Sequence, residues 1–374
     1  MWTVDSFYHE ARATAEASAL LIKNRGEMWF NTVKRGMPGA SNDEVVRVLQ
    51  RFNQQRLDAV PDYNTYPELR GMPELIRAEW RGTQDGAGLT DEELAGYYGA
   101  PAFYHRYITT GREPARCSYI FFPTSEVGPI LANNLDSGPE EKFGPPAWPM
   151  VNEHVIIGGV SSGIYLDEES PELFPAPVFK LIGRYCRTTE EAVEMLTRYN
   201  YFWGPGNLIV IDRNKKVAMV EKSACRIGVR YSPDGFGFIT AMTAEEPGMH
   251  AFLEDRRFAS LKARGMTEDS NDLRYWRGAD ARRALMSELL DEARQHPTLE
   301  KLRQMIQFRD PKRGYVCYNA EVFHPGDFPV EFTLKSSIWL LREGKAQWWA
   351  KEGDTPSFEN RKPDVKFNDV LTWE

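Results

Sequence analysis

The feature that most constrains this 374-residue chain is a change of texture at residue 117. Before it, strand patterns are nearly absent and apolar residues recur at helical spacing. After it, short β-rich runs follow one another between turn signals. EARATAEASALLIKN and NDEVVRVLQRFNQQRLDAV read as helices, with Ser41 and Asn42 as cap candidates. LTDEELAGYYGAPAFYHRY reads as one further helix, opened by the Thr90–Glu93 capping box and ending near Tyr107. ITTGREPAR then has the Gly, Pro and charge of an exposed linker. The boundary predicts a helical module over 1–116 and a sheet-containing domain over 117–374.

Within the second part, CSYIFFP and GPILANNLD read as adjacent strands, and EHVIIGGV and GIYLDE as a strand pair joined by Ser161 and Ser162. PAPVFKLIGRYC and TTEEAVEMLTRYN read as helices. NLIVIDRN, KVAMVEKS, CRIGVRYS and FGFITAMT are four strands at about ten-residue spacing, the pattern of an antiparallel meander. HAFLEDRRFASLKARG and GADARRALMSELLDEARQH carry Arg/Glu pairs at helical spacing and read as solvated amphipathic helices. VEFTLKSSIWLLRE and KAQWWAKE close the chain as strands. Sheet blocks separated by helix blocks favour an α+β layered architecture over a doubly wound parallel sheet.

Charge and composition narrow the function. The chain has 46 Lys plus Arg against 54 Asp plus Glu, a net charge of −8, and no local basic run, so no nucleic-acid partner is expected. A 42 % hydrophobic content supports a large packed core. No apolar run approaches the ~20 residues of a membrane span, and the first segment mixes charge with apolar residues, so no membrane association and residence in the cytoplasm are expected. Cys117, Cys186, Cys225 and Cys317 are too scattered for a disulfide framework. The six histidines show no zinc spacing, and no phosphate-cradling or G-x-S-x-G sequence occurs, so neither metal nor cofactor is expected.

Cys117 stands apart from the other cysteines because it falls where the linker enters the first strand. Asn133, Asn134 and Asp136 lie at the end of the second strand, and a hairpin of that length returns an amide and a carboxylate to the sulfur. Arg116-Cys117-Ser118, the Gly-Pro-Ile-Leu strand and Asn134-Leu135-Asp136 together resemble the opening of the N-terminal-nucleophile (Ntn) hydrolases related to isopenicillin N acyltransferase and conjugated bile acid hydrolases. GGVSSGIYLDE, PAPVFKLIGRYCRTTEEAVEML, NLIVIDRNKKVAMVEKS and SSIWLLREGKAQWWAKEGD are similar to later family segments in the same order. YPELRGMPELIRAEW and LTDEELAGYY are similar to the acyltransferase pro-region.

The resemblance implies a four-layer α/β/β/α sandwich with antiparallel sheets, preceded by a helical pro-segment over 1–116. It implies cleavage between Arg116 and Cys117, which frees an α-amino group able to take the thiol proton. Asp136 would hold that amine, and Asn134 or its neighbour Asn133 would bind substrate or orient the sulfur. The sequence departs from the family at several points. Thr240-Ala241-Met242-Thr243 stands where relatives carry a Thr-Asn-His whose Asn donates to the oxyanion, so Thr243, Asn207 or main-chain N–H groups are the candidate donors. Lys335 lies one position from the relatives' last-strand Arg, Asn133 replaces an Arg of the bile acid hydrolases, and Arg116 replaces a small residue before the cut.

These readings imply an amidase or acyltransferase on linear amides, acting through an acyl-enzyme on Cys117. A small-molecule amide or acyl donor is the expected partner, the pro-segment is expected to stay bound, and a homo-oligomer stays open. EKFGPPAWPM and YNYFWGPG are candidate pocket loops for an apolar acyl group, or simply loops packed by their own aromatics. The alternatives are an impaired pseudoenzyme that binds a ligand or partner without turnover, and a conventional Cys–His thiol hydrolase that stays uncut.

Overall fold

The computed structural model describes residues 3–58, 71–103, 117–137, 150–161, 176–199, 206–223, 226–241, 243–263, 271–317, 332–352, 355–366 and 373. The chain divides into two compact units. One comprises Met1–Glu113 with Glu168–Pro177 and Tyr201–Gly204. The other comprises Pro114–Asp167, Val178–Asn200 and Pro205–Glu374.

The first unit holds α1 (Val4–Ala17), α2 (Ala19–Arg35), α3 (Asn42–Asp58), α4 (Met72–Ala87), α5 (Asp91–Tyr98) and α6 (Ala100–Phe103). Local capping chemistry sets their starts. The Ser41 hydroxyl accepts from the Glu44 N–H and the Glu44 carboxylate accepts from the Ser41 N–H. Thr90 and Glu93 make the same reciprocal pair. The first helical run is broken at Ser18, whose φ of −129° leaves the helix. The run expected as one helix from residue 89 is divided at Gly99 into α5 and α6. Pro101, which has no N–H to continue a ladder, lies two positions after Gly99. Residues 104–107 lie outside the described residues. Glycines bring the helices close: a Cβ at Gly96 of α5 would stand 2.0 Å from the Gly26 carbonyl oxygen of α2, and one at Gly82 of α4 would stand 2.3 Å from the Tyr8 oxygen of α1.

The second unit is built on two antiparallel sheets. Its strands are β1 (Ser118–Phe122), β2 (Ile130–Ser137), β3 (Met150–Val151), β4 (Val155–Ser161), β5 (Gly206–Asp212), β6 (Val217–Lys222), β7 (Ile227–Tyr231), β8 (Gly237–Thr240), β9 (Arg309–Asp310), β10 (Gly314–Tyr315), β11 (Phe332–Leu340), β12 (Lys345–Ala350) and β13 (Arg361–Lys366). One sheet runs β13-β12-β11-β2-β1-β8 and the other β3-β4-β5-β6-β7, with β9 and β10 a separate two-stranded ribbon. Its helices are α7 (Ala176–Tyr185), α8 (Thr189–Arg198), α9 (Pro247–Ala263), α10 (Asn271–Arg294) and α11 (Leu299–Ile306).

Side-chain alternation sorts the first sheet into two faces. Cys117, Tyr119, Phe121, Leu131 and Trp339 pack with Ile209, Ile211, Val217 and Met219 of the second sheet, forming the core between the sheets. Ile120, Phe122, Ile130, Ala132 and Ile338 face the other way and pack on Leu285, Met286 and Leu289 of α10 and Leu302, Met305 and Ile306 of α11. On the second sheet, α8 is tied to β5 and β6: its Thr189 N–H donates to Asp212 and its hydroxyl to the Lys216 carbonyl. The fold is therefore α+β, with antiparallel sheets stacked between helices, as the sequence implied. Gly158 of β4 allows the close stacking, because a Cβ there would lie 2.7 Å from the Tyr119 ring.

Two expectations change. The meander stops at three strands: β5, β6 and β7 pair in order, but β8 leaves for the edge of the other sheet and pairs with β1. The departure follows Gly235, whose φ of +81° turns the chain, and Gly237, where a Cβ would meet Val217 at 2.8 Å. β4 pairs with β3 and β5; its proposed partner GIYLDE lies outside the described residues. Finally, α10 is not merely a solvated helix, since Leu285, Met286, Leu289, Leu290, Ala293 and the charged Arg282 are all buried. Among the described residues no helix is long and apolar enough to cross a membrane.

Candidate active site

Cys117 immediately precedes β1, a central strand of its sheet, flanked by β2 and β8. Its carbonyl accepts from the Ala241 N–H at 3.0 Å, which fastens it to the segment leaving β8. Its Sγ lies 3.6 Å from the main-chain oxygen of Asp136. The β1–β2 register pairs Ser118 with Asn134 and Tyr119 with Asn133, so the expected hairpin does return the Asn-Asn-Leu-Asp segment to the cysteine. These residues lie inside β2 rather than in a turn.

The alternation that sorts the core also separates the candidates. Asn133, Leu135 and Lys335 share the inter-sheet face with Cys117, as their pairing shows: Asn133 opposes Tyr119 and Ser337, and Lys335 opposes Leu135. All three polar side chains in this group, Asn133, Ser337 and Lys335, are buried. The Asn133 Oδ1 and the Ser337 Oγ have no hydrogen-bond partner among the described residues. An unpaired buried polar atom costs about 1–3 kcal/mol. Tyr119 lies in the same row, stacked on Trp339 with centroids 6.3 Å apart. Burial pushes its phenol far above the ordinary range, the nearby Cys117 adds to the rise, and a hydrogen bond from Asn133 opposes it.

Asn134 and Asp136 send their side chains to the helix-facing side. Asn134 Nδ2 donates to the carbonyls of Ile306 at 2.8 Å and Val316 at 3.2 Å, and its Oδ1 accepts from Ser336 at 2.7 Å. That side chain is a brace between the sheet and the end of α11. The Asp136 carboxylate accepts from Arg282 Nη1 at 2.7 Å and from the Thr333 hydroxyl at 2.6 Å. Arg282 Nη2 reaches on to the Ser118 hydroxyl at 3.2 Å and the Val316 carbonyl at 2.6 Å. The pair is fully enclosed, with side-chain exposures of 2 % and 0 %. A register shift between Thr333 and Lys335 in β11 puts Thr333 on the Asp136 side and Lys335 on the cysteine side.

Asn207 of β5 sits on the inter-sheet face of the second sheet. Both hydrogens of its amide are spent, on the carbonyls of Thr240 at 2.7 Å and Thr243 at 2.6 Å. What it offers is an acceptor, an Oδ1 with no hydrogen-bond partner among the described residues, and not the donor an oxyanion needs. The two carbonyls fix that orientation, since a flipped amide would set oxygen against oxygen. The Thr243 hydroxyl shares a 2.6 Å hydrogen bond with the Thr240 hydroxyl. Arg116, Met242, Cys225 and nearly all of the two aromatic loops lie outside the described residues.

Burial pushes the thiols of Cys186 and Cys317 up to about 12 and about 11. Among the described residues no group of three or more His, Cys, Asp or Glu is arranged to hold a metal. Arg282 and Thr333 were missed in the sequence. A signal for Arg282 existed: it falls three residues after Ala279 and four before Met286, on the buried stripe of α10.

No family model matches the chain, and no curated protein matches it. Among solved structures, a cysteine-to-alanine mutant of conjugated bile acid hydrolase from Clostridium perfringens is similar at a TM-score of 0.38 and 12 % identity, covering 67 % of this chain and 97 % of that one. Penicillin V acylase from Agrobacterium tumefaciens is similar at 0.38 and 11 %, covering 64 % and 84 %. An arginine-to-leucine variant of the Clostridium enzyme is similar at 0.33 and 12 %, covering 68 % and 90 %.

Proposed function

We propose that this chain is a self-processing cysteine amidohydrolase or acyltransferase of the N-terminal-nucleophile kind, acting on linear amides. Cleavage of the Arg116–Cys117 bond frees an α-amine on the residue that carries the thiol. The amine takes the thiol proton, the thiolate attacks the amide carbonyl, and the S–C bond forms as the C–N bond breaks. The ammonium returns its proton to the leaving amine, and water or a second amine then takes the acyl group. Asp136 holds the amine. With the Asn207 hydrogens spent and the Thr243 hydroxyl bonded to the Thr240 hydroxyl and carbonyl, main-chain N–H groups are the oxyanion donors that remain. Residues 1–116 act as a pro-segment that stays bound, and the cytoplasm is the proposed residence.

The observation that supports this reading is the company of the Cys117 sulfur. It lies at the head of a central strand, 3.6 Å from Asp136 O, on the face that carries Asn133, Ser337 and Lys335 with two unpaired polar atoms. A pseudoenzyme that binds without turnover is the second reading, and the spent Asn207 amide favours it.

Intact mass under denaturing conditions tests both. The self-processing reading expects two chains, 1–116 and 117–374, in freshly purified wild type and a single 42.9 kDa chain in Cys117→Ala. It also expects hydrolysis of at least one member of an acyl p-nitroanilide panel by the wild type alone. One persistent full-length chain in both proteins would overturn self-processing. Cleavage without any amide turnover would favour the pseudoenzyme.

A further inference from the structure

The Arg282–Asp136 pair is hydrogen-bonded to Ser118, the residue after Cys117, and the proposed chemistry does not yet use the arginine. A general base must be unprotonated to act, yet a lone buried carboxylate beside an amine favours the ammonium. Here that carboxylate is already bonded to a guanidinium through Nη1 at 2.7 Å, and the same guanidinium holds Ser118, the residue after the nucleophile, at 3.2 Å. We propose that Arg282 is a positioning residue for the nucleophile: shared between Asp136 and Ser118, its charge offsets the carboxylate so that the Cys117 amine stays a free base, while its hydrogen bonds hold the strand start in register.

The inference rests on Cys117 becoming N-terminal. Among the described residues, the charged and titratable groups around the strand start include Asp136 from β2, Arg282 from α10, Lys335 from β11 and Tyr119 from β1. Beyond α11, Arg309 and Cys317 interact with each other, and Cys317 also interacts with Asp136. β8 contributes Thr240 opposite Ser118. A unit charge roughly 5–7 Å from an amine, at an effective dielectric of about 20, shifts its pKa by about two units. The sign follows from the charge: without the guanidinium, the protonated amine is favoured and the pKa rises.

The test reads the amine itself, so it needs no known substrate. The rate at which cyanate carbamoylates the Cys117 α-amine is followed against pH by mass, after dithiothreitol has removed S-carbamoyl groups, in wild type, Arg282→Gln, Arg282→Lys and Thr333→Val. The expected midpoint is about two pH units higher in Arg282→Gln than in wild type and within about half a unit of wild type in Arg282→Lys, which keeps the charge. Thr333→Val loosens the same carboxylate without changing charge, so its midpoint stays with the wild type. An unmoved midpoint in Arg282→Gln, or an equal rise in Thr333→Val, overturns the role of Arg282 alone. If Arg282→Gln does not fold, Arg282→Lys decides: a midpoint raised by a full unit overturns the charge argument, and an unmoved one supports it. A wild type with no free Cys117 amine overturns the function reading and this inference together, and its intact mass shows which failure occurred.

Discussion

Replacing Arg282 by Met removes one half of an ion pair whose two side chains are 2 % and 0 % exposed. The buried carboxylate of Asp136 then loses this countercharge, and the Ser118 hydroxyl and Val316 carbonyl lose the same donor. Breaking a buried pair from one side costs about 3–5 kcal/mol, a large part of the roughly 5–15 kcal/mol that holds a typical domain together. The reverse substitution, Asp136→Leu, leaves a buried guanidinium and costs a similar amount. Removing both charges together, in Arg282→Met with Asp136→Leu, leaves no orphan ion. The double variant therefore loses only about 1–2 kcal/mol, for the bonds to Ser118, Val316 and Thr333. The cycle predicts strong coupling, with the double variant more stable than either single one. Urea unfolding followed by tryptophan fluorescence measures it. Additive losses in the double variant, or a single-variant loss below about 1 kcal/mol, would refute the view that burial makes this pair interdependent.

Two further predictions concern packing and thiols. Gly96→Ala puts a methyl group 2.0 Å from the Gly26 carbonyl oxygen, so α2 and α5 must separate, and a thermal scan should show a loss of about 1–3 kcal/mol; an unchanged midpoint would mean that the helices are not in contact there. With thiol pKa values near 12 and 11, Cys186 and Cys317 hold only about one part in ten thousand and one in a thousand of thiolate at pH 8. Iodoacetamide at that pH should leave both unlabelled in the native protein and label both in urea. Equal rates in the two states would contradict their burial.

The parts of this protein that a reader of the sequence could find are those set by near neighbours. Helix starts at Ser41 and Thr90 follow from a hydroxyl and a carboxylate three residues apart, which reach the free N–H groups of the first turn. The β1–β2 pairing follows from two apolar runs joined by a short turn. It carries Cys117 and the Asn133–Asp136 segment together, because strand register fixes which residues stand opposite. The same alternation was available in principle to separate Asn133 from Asn134. It needed the knowledge that both faces of the sheet are buried, one under helices and one under another sheet.

The sequence by itself determined the helical texture of the described residues before 104, the hairpin with its cysteine at the head, and the α+β class, since each rests on periodicity and turn chemistry within a few residues. Tertiary structure alone decided which sheet β8 joins, that Asn207 spends both its amide hydrogens, and that Arg282 meets Asp136 across 146 positions of chain. An arginine in a helix full of Arg/Glu pairs has the same local pattern whether it faces water or a buried carboxylate. The difference is a desolvation energy, and it exists only once the sheet and the helix have closed over both groups.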